Sequence, residues 1–178
     1  INDYGRKAGF LVEHYIISSG MREIIKSTSI ADEFKRIYAC RYYYDETHTA
    51  TWPAQVVNYT AKTQYIFRIN KQVLDVTDDA DLNKFVPQTE RPIPFERMIY
   101  IADGLTDVPC MRLVKEYGGK SIAVYSNSDA VAKSLKDVGR VNYIAKADYS
   151  SGSEMEMIVQ SILDHMKADE VLKKYEGK

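Results

Sequence analysis

The sequence predicts an α/β protein, a Rossmann-like three-layer fold with helices on both faces of a parallel sheet. Three observations carry this. Short apolar runs, MIYIA (98–102), SIAVY (121–125) and VNYIA (141–145), read as strands. Between them lie stretches whose apolar residues recur at helical spacing. The length, 178 residues, suits a single α/β core over 1–178 and is enough to bury a real interior.

Taken in order, the opening residues INDYGRKAGF read as the end of a helix, with Arg6 and Lys7 in its last turn and Gly9 at its stop. Because the chain starts on Ile1, the expectation is a piece of a longer protein. EHYIIS (13–18) reads as a strand, followed by a helix with Met21, Ile24 and Ile25 on one face. The stretch 37–57 is rich in Tyr, Thr and Val, broken by Asp45-Glu46, and reads as a β-hairpin. A helix over 61–74 carries Ile66, Ile69 and Val73; the polar stretch 75–97, with DVTDDAD and the Pro92/Pro94 pair, reads as loop or short helix. After the MIYIA strand, Val108, Met111 and Val114 mark a helix stopped by Gly118-Gly119. A further helix covers about 129–137. The last helix places Met155, Ile158, Val159, Ile162, Leu163 and Met166 on one stripe and runs out in a solvated, fraying ADEVLKKYEGK.

Composition narrows the function classes. The chain is 45% hydrophobic and 28% charged, as in an ordinary soluble globular protein. Its 24 basic and 25 acidic residues form no basic block, so no nucleic-acid partner is expected. No apolar run approaches the ~18 residues needed to cross a bilayer, and no membrane partner is expected either. Cys40 and Cys110 stand far apart and make no disulfide framework; a reducing, cytoplasmic setting is the default. The sequon Asn58-Tyr59-Thr60 is read as chance.

Ligands of parallel α/β sheets bind outside the carboxyl ends of the strands, and three places put unusual residues there or nearby. In MIYIADGLTDVPCM, Asp103 and Asp107 follow an apolar strand four residues apart, a pair that would hold a hard cation such as Mg²⁺. The plainer account is that they favour the start of the next helix, with Thr106 as its cap and Pro109 in its first turn. In YIISSGMREI, Ser18 ends a strand, and Ser19 and Gly20 lead into a helix, offering hydroxyls and backbone N–H groups to an anion. The plainer account there is a capping serine with a flexible glycine. Lys62 follows Thr60; with Thr60 as cap it falls in a helix's first turn, where a cation opposes the macrodipole by ~0.3–1 kcal/mol. Either an anion or carboxylate stands before it, or the side chain points to solvent at small cost. Lys71, farther along, is read as surface.

A strand-end Ser, then a helix-start Lys, then a strand running into ADGLTD resembles the haloacid dehalogenase-like superfamily of phosphohydrolases, most closely its phosphoserine phosphatase-like branch. Ser18 matches the second motif, Lys62 the third, and Asp103 with Asp107 the fourth, usually G-D-G-x-x-D; the Tyr-rich hairpin also looks like that branch. The resemblance covers roughly residues 7 to 165, the fourth motif being the most specific. It implies an Mg²⁺-dependent phosphatase acting on a small-molecule phosphomonoester through an aspartyl-phosphate. Ser18, with the Ser19 and Gly20 amides nearby, would hold a phosphoryl oxygen. Lys62 would neutralise phosphate and nucleophile. Asp103 would bind the metal, and Asp107 a metal-bound water or Lys62.

Two departures stand out. Ala102 replaces the leading Gly of the fourth motif. The first motif, an apolar strand ending D-x-D-x-T/V, belongs upstream of the Ser18 strand, where Asp3 has no strand before it. Asp45-x-Thr47 and Asp75-x-Thr77 fall after the second motif and read as turns. The expectation is therefore a core incomplete at its N-terminus, its nucleophile strand and cap missing and the chain alone inactive. An exposed sheet edge would then favour a homo-oligomer. The alternative is a non-catalytic α/β module that keeps a phosphate and metal pocket.

Overall fold

A computed structural model of the protein describes residues 1–176; Gly177 and Lys178, the tip of the expected fraying tail, lie outside the described residues. The chain is mixed α/β with two small, mostly parallel sheets. Its first half runs α1 (Asn2–Ala8), β1 (His14–Met21), α2 (Arg22–Lys26), β2 (Phe34–Tyr44), β3 (Ala50–Gln55), α3 (Lys62–Lys71) and α4 (Asp79–Asn83). Its second half runs β4 (Ile99–Ala102), α5 (Val108–Glu116), β5 (Lys120–Tyr125), α6 (Ala130–Asp137), β6 (Tyr143–Lys146) and α7 (Glu154–Glu176). These elements form two compact units, one of residues 13–92, the other of residues 1–12 with the chain from Ile93 onward.

In the unit of residues 13–92, β1 pairs parallel with β2, and β2 turns back antiparallel into β3. The hairpin forms where the Tyr- and Thr-rich stretch predicts it. Its turn is tied by Asp45, whose Oδ1 accepts from the Thr47 amide at 2.9 Å, the Thr47 hydroxyl at 2.7 Å and the Thr49 amide at 3.0 Å. Tyr38 and Tyr65 stack with ring centres 4.5 Å apart, and Ala39, Val57, Ile66 and Ile69 are buried as well. β1 does not stop at Ser18 as its sequence suggests; it continues to Met21. The helix after it has five residues, and Ile24 on it is 68% exposed, so no apolar face is buried there.

Two cations of α3 hold the polar stretch after it. Arg68 is 1% exposed. Its guanidinium donates to the carbonyls of Asp75 (2.6 Å), Val76 (3.1 Å) and Asp78 (3.0 Å) and to the Asp79 carboxylate (2.7 Å). Lys71, read from sequence as a surface residue, donates to the carbonyls of Leu82 and Lys84, each at 2.6 Å. A loop whose backbone acceptors would otherwise need water thus takes its donors from a helix.

In the other unit, β4, β5 and β6 form a parallel sheet in that order. One face packs Ile122, Val124 and Ala145 against Met155, Val159, Ile162 and Leu163 of α7, the stripe its sequence predicts. The other packs Ala123 against Val108 and Met111 of α5 and Ala132 and Leu135 of α6. The alternation of side chains along a strand explains why consecutive residues 122–124 serve opposite layers. α1 ends at Gly9 in the left-handed region (φ 90), as the Arg-Lys-Gly ending predicts. It is tied to α7 by the Tyr4 hydroxyl, 2.7 Å from the Asp164 carboxylate.

The turn from α5 into β5 admits no side chain at Gly119. A Cβ there would lie 2.4 Å from the Phe95 carbonyl oxygen and 2.6 Å from Val114 Cγ1. Both neighbours are fixed, one as backbone and one as a core side chain 1% exposed. Gly119→Ala is expected to destabilise this unit by about 1–3 kcal/mol through overpacking. The urea midpoint at unchanged m reads it.

Candidate functional site

Ser18, Ser19 and Gly20 sit in a break of the β1–β2 ladder. Ile17 pairs with Tyr38 and Met21 with Cys40, so three residues of β1 oppose Ala39 alone on β2. An insertion of this kind lifts the extra residues off the ladder and re-aims their side chains. Within it, the Gly20 amide donates to Ser18 Oγ at 3.0 Å, which fixes the hydroxyl while leaving its own proton to donate elsewhere. Gly20 therefore spends its N–H on Ser18, and Ser19 and Gly20 are exposed. Ser19 and Gly20 lead through Met21 into α2, which begins at Arg22.

In the same unit Lys62 is the first residue of α3 and only 6% exposed. The cap is not Thr60. Asn58 Oδ1 accepts from the Ala61 amide at 2.9 Å and from the Thr60 hydroxyl at 2.7 Å, turning the chain into the helix one residue later than the capped register. Burial removes the account in which Lys62 points to solvent at small cost. An ammonium shut from water at the positive end of a helix needs negative partners to be retained.

Asp103 and Asp107 belong to the other unit, on one loop past the carboxyl end of β4. Asp103 is exposed; Asp107 is 6% exposed. Asp107 is the N-cap residue of α5, yet its side chain caps no helix amide, nor does Thr106 serve as the cap. Of the plainer account, Thr106 as the cap fails, while Asp107 does stand at the helix N-terminus and Pro109 in its first turn. The Tyr100 hydroxyl donates to Asp107 Oδ1 at 2.6 Å and the Thr106 hydroxyl to Oδ2 at 3.3 Å. Burial pushes the Tyr100 phenol well above its ordinary pKa; Cys110 and Asp107 push the same way, so it remains a donor.

Asp103 also lines a cleft of about 300 Å³ with Ile101, Ala102, Val124, Tyr125, Ser126, Ala147 and Tyr149. The cleft lies across the carboxyl ends of β4, β5 and β6, the place where parallel sheets bind ligands. Partial burial, then the charge of Asp103, raises the Tyr149 phenol above its ordinary value. Tyr100 and Tyr149 join the site from outside the motifs. Tyr100 carries a legible signal, a polar-tipped aromatic in a buried strand, whereas Tyr149 sits on a loop after β6 with none.

Among the described residues no three His, Cys, Asp or Glu side chains gather into a metal cluster. Mg²⁺ asks less, since it takes one or two carboxylates and fills its other positions with water and phosphate oxygens. The all-oxygen pair Asp103 and Asp107, one exposed and one buried on a single loop, fits that demand. Among the described residues no helix is long and apolar enough to cross a membrane.

Asp45-x-Thr47 and Asp75-x-Thr77 are turns, as their sequence context predicts. Asp75 Oδ1 accepts from the Thr77 amide at 2.9 Å and hydroxyl at 2.8 Å, repeating the Asp45 pattern. Both carboxylates are held below the ordinary range by these bonds.

No family model matches the chain. It is similar to an uncharacterized protein of Borreliella burgdorferi, 29% identical over 161 residues, which take in 81% of this chain and 55% of that protein. The chain thus spans about half the length of the curated relative it matches.

The Asp75 turn makes stability depend on pH. Asp75 binds its proton less readily folded than unfolded, so its contribution is complete above the unfolded value, about 3.9. That contribution is lost as pH falls through the lower native value. Urea midpoints taken at pH 5 and pH 3 are expected to fall less between those pH values in Asp75→Asn than in the unsubstituted chain.

Proposed function

We propose that this chain is part of an Mg²⁺-dependent phosphomonoester hydrolase of the haloacid dehalogenase-like kind, acting through an aspartyl-phosphate. One observation carries the reading. It is the setting of three side chains that the motifs single out: Lys62 is buried at the positive end of a helix, Asp107 is buried at the start of another, and Ser18 lies on a bulge. Asp103 stands at the mouth of the strand-end cleft.

In this reading a carboxylate from a segment beyond this chain attacks the phosphorus. The P–O bond to the substrate alcohol breaks, and the leaving alkoxide takes a proton from water, which the later hydrolysis returns. Water then cleaves the acyl phosphate, restoring the carboxylate and releasing inorganic phosphate. The Ser18 hydroxyl donates to a phosphoryl oxygen, with Ser19 and Gly20 shaping the bulge around it. Lys62 neutralises the anions brought together for the attack. Asp103 and Asp107 would hold Mg²⁺, which supplies charge to offset the spreading negative charge. The Borreliella relative supports the expectation of further chain, because this sequence covers 55% of it.

The test is hydrolysis of p-nitrophenyl phosphate by the protein at the length of its relative, with and without Mg²⁺. Turnover is expected only with the metal. Lys62→Ala and Asp103→Asn are each expected to lower kcat by about 10²-fold or more, the size of one lost electrostatic contact to a transition state. Turnover independent of Mg²⁺, or unchanged in both variants, overturns the reading. Phosphate binding without turnover at that length moves the assignment to the non-catalytic phosphate-binding module.

Oligomerisation belongs to the same proposal. β4 is an outer strand of its sheet, and a strand bearing the nucleophile would need an edge to join. Until one is filled, the edge invites a second copy. The 178-residue chain alone is expected to self-associate with concentration in light scattering, and a mass that stays monomeric throughout counts against this.

A further inference from the structure

Tyr100 has no role in the motifs, yet its hydroxyl is bonded directly to one of the proposed metal carboxylates. It sits on β4 with its ring packed on the layer formed by Val108, Met111 and Leu135, so the ring has little room to turn. Its hydroxyl reaches the end of the strand and donates to Asp107 Oδ1 at 2.6 Å, within the range of a charge-assisted O–H···O bond. The acceptor sits at an N-cap position whose usual bond, to the helix amides, is not made. A phenol anchored in the core, on Oδ1, and the Thr106 hydroxyl at 3.3 Å, on Oδ2, thus bind the Asp107 carboxylate where no helix amide does.

Resting on the phosphatase reading above, we propose that Tyr100 is a positioning residue for the metal: by engaging Oδ1 it turns Oδ2 of Asp107 toward the cation or its bound water. Outer-shell hydrogen bonds of this kind hold a carboxylate in one orientation, and their loss costs roughly 10–100-fold in metal affinity. The arrangement also separates two tasks. The exposed Asp103 meets the cleft directly, while the buried Asp107 is set by a residue that never touches substrate.

The experiment uses the 178-residue chain with Mn²⁺ alone as probe, read by paramagnetic broadening of the amide resonances of residues 103–108. Tyr100→Phe keeps the ring, and its urea midpoint checks that the fold is kept. The expected result is broadening in the unsubstituted chain and at least tenfold weaker apparent affinity in Tyr100→Phe. In an Asp107→Asn background, Tyr100→Phe is expected to add nothing, because its only route to the metal is gone. Equal affinity of Tyr100→Phe and the unsubstituted chain overturns the positioning role and leaves the metal reading standing. So does an equal loss in both backgrounds, which would make Tyr100 a general structural residue. Absence of broadening at these residues in the unsubstituted chain overturns the metal reading itself, and the role of Tyr100 with it.

Discussion

A carboxylate kept from water at the end of a strand is the constraint around which the β4–α5 turn is arranged. Leaving such a group without donors would cost several kcal/mol. Asp107 meets that demand through side chains, Tyr100 from the strand before it and Thr106 from the loop, and not through the helix it begins. The same rule governs the other unit, where the sign is reversed. There Arg68 and Lys71 are cations of α3, and backbone carbonyls of the following loop surround them.

Much of the fold was legible because it rests on periodicity. The stripe Met155, Val159, Ile162, Leu163 of α7 and the consecutive Ile122, Ala123, Val124 of β5 follow from helix and strand repeats alone. The hairpin followed from its composition, and both D-x-T turns from the habit of Asp to accept from amides two residues on. What was not legible depends on contacts distant in sequence or on pairing register. The continuation of β1 to Met21 is such a case. A three-for-one bulge is decided by how Tyr38 and Cys40 pair, which the run YIISSG does not reveal. Lys71 looked like a surface residue because its partners, carbonyls eleven and thirteen residues on, have no sequence signature.

For the candidate site, residue types and order were readable and their roles within local structure were not. Sequence left Ser18, Lys62 and the Asp pair each with both a capping or solvated account and a chemical one, the plainer account leading at Ser18. Burial removes the solvated account of Lys62, and the absent side-chain bond removes Thr106 as the cap of α5. Neither could be inferred from spacing, since a residue at the start of a helix faces the interior or the solvent according to how the helix packs. Tyr100 shows the same limit. Its place in an apolar strand was clear, but the direction of its hydroxyl is set by the packing of its ring.

The guanidinium of Arg68 lies among three main-chain oxygens and one carboxylate, a shell that in other loops encloses a calcium ion. Here the positive charge is covalently part of the chain, and it never titrates near neutrality. Chelators and swings in cation supply have nothing to remove from this loop, whose anchoring is built entirely from the chain's own atoms.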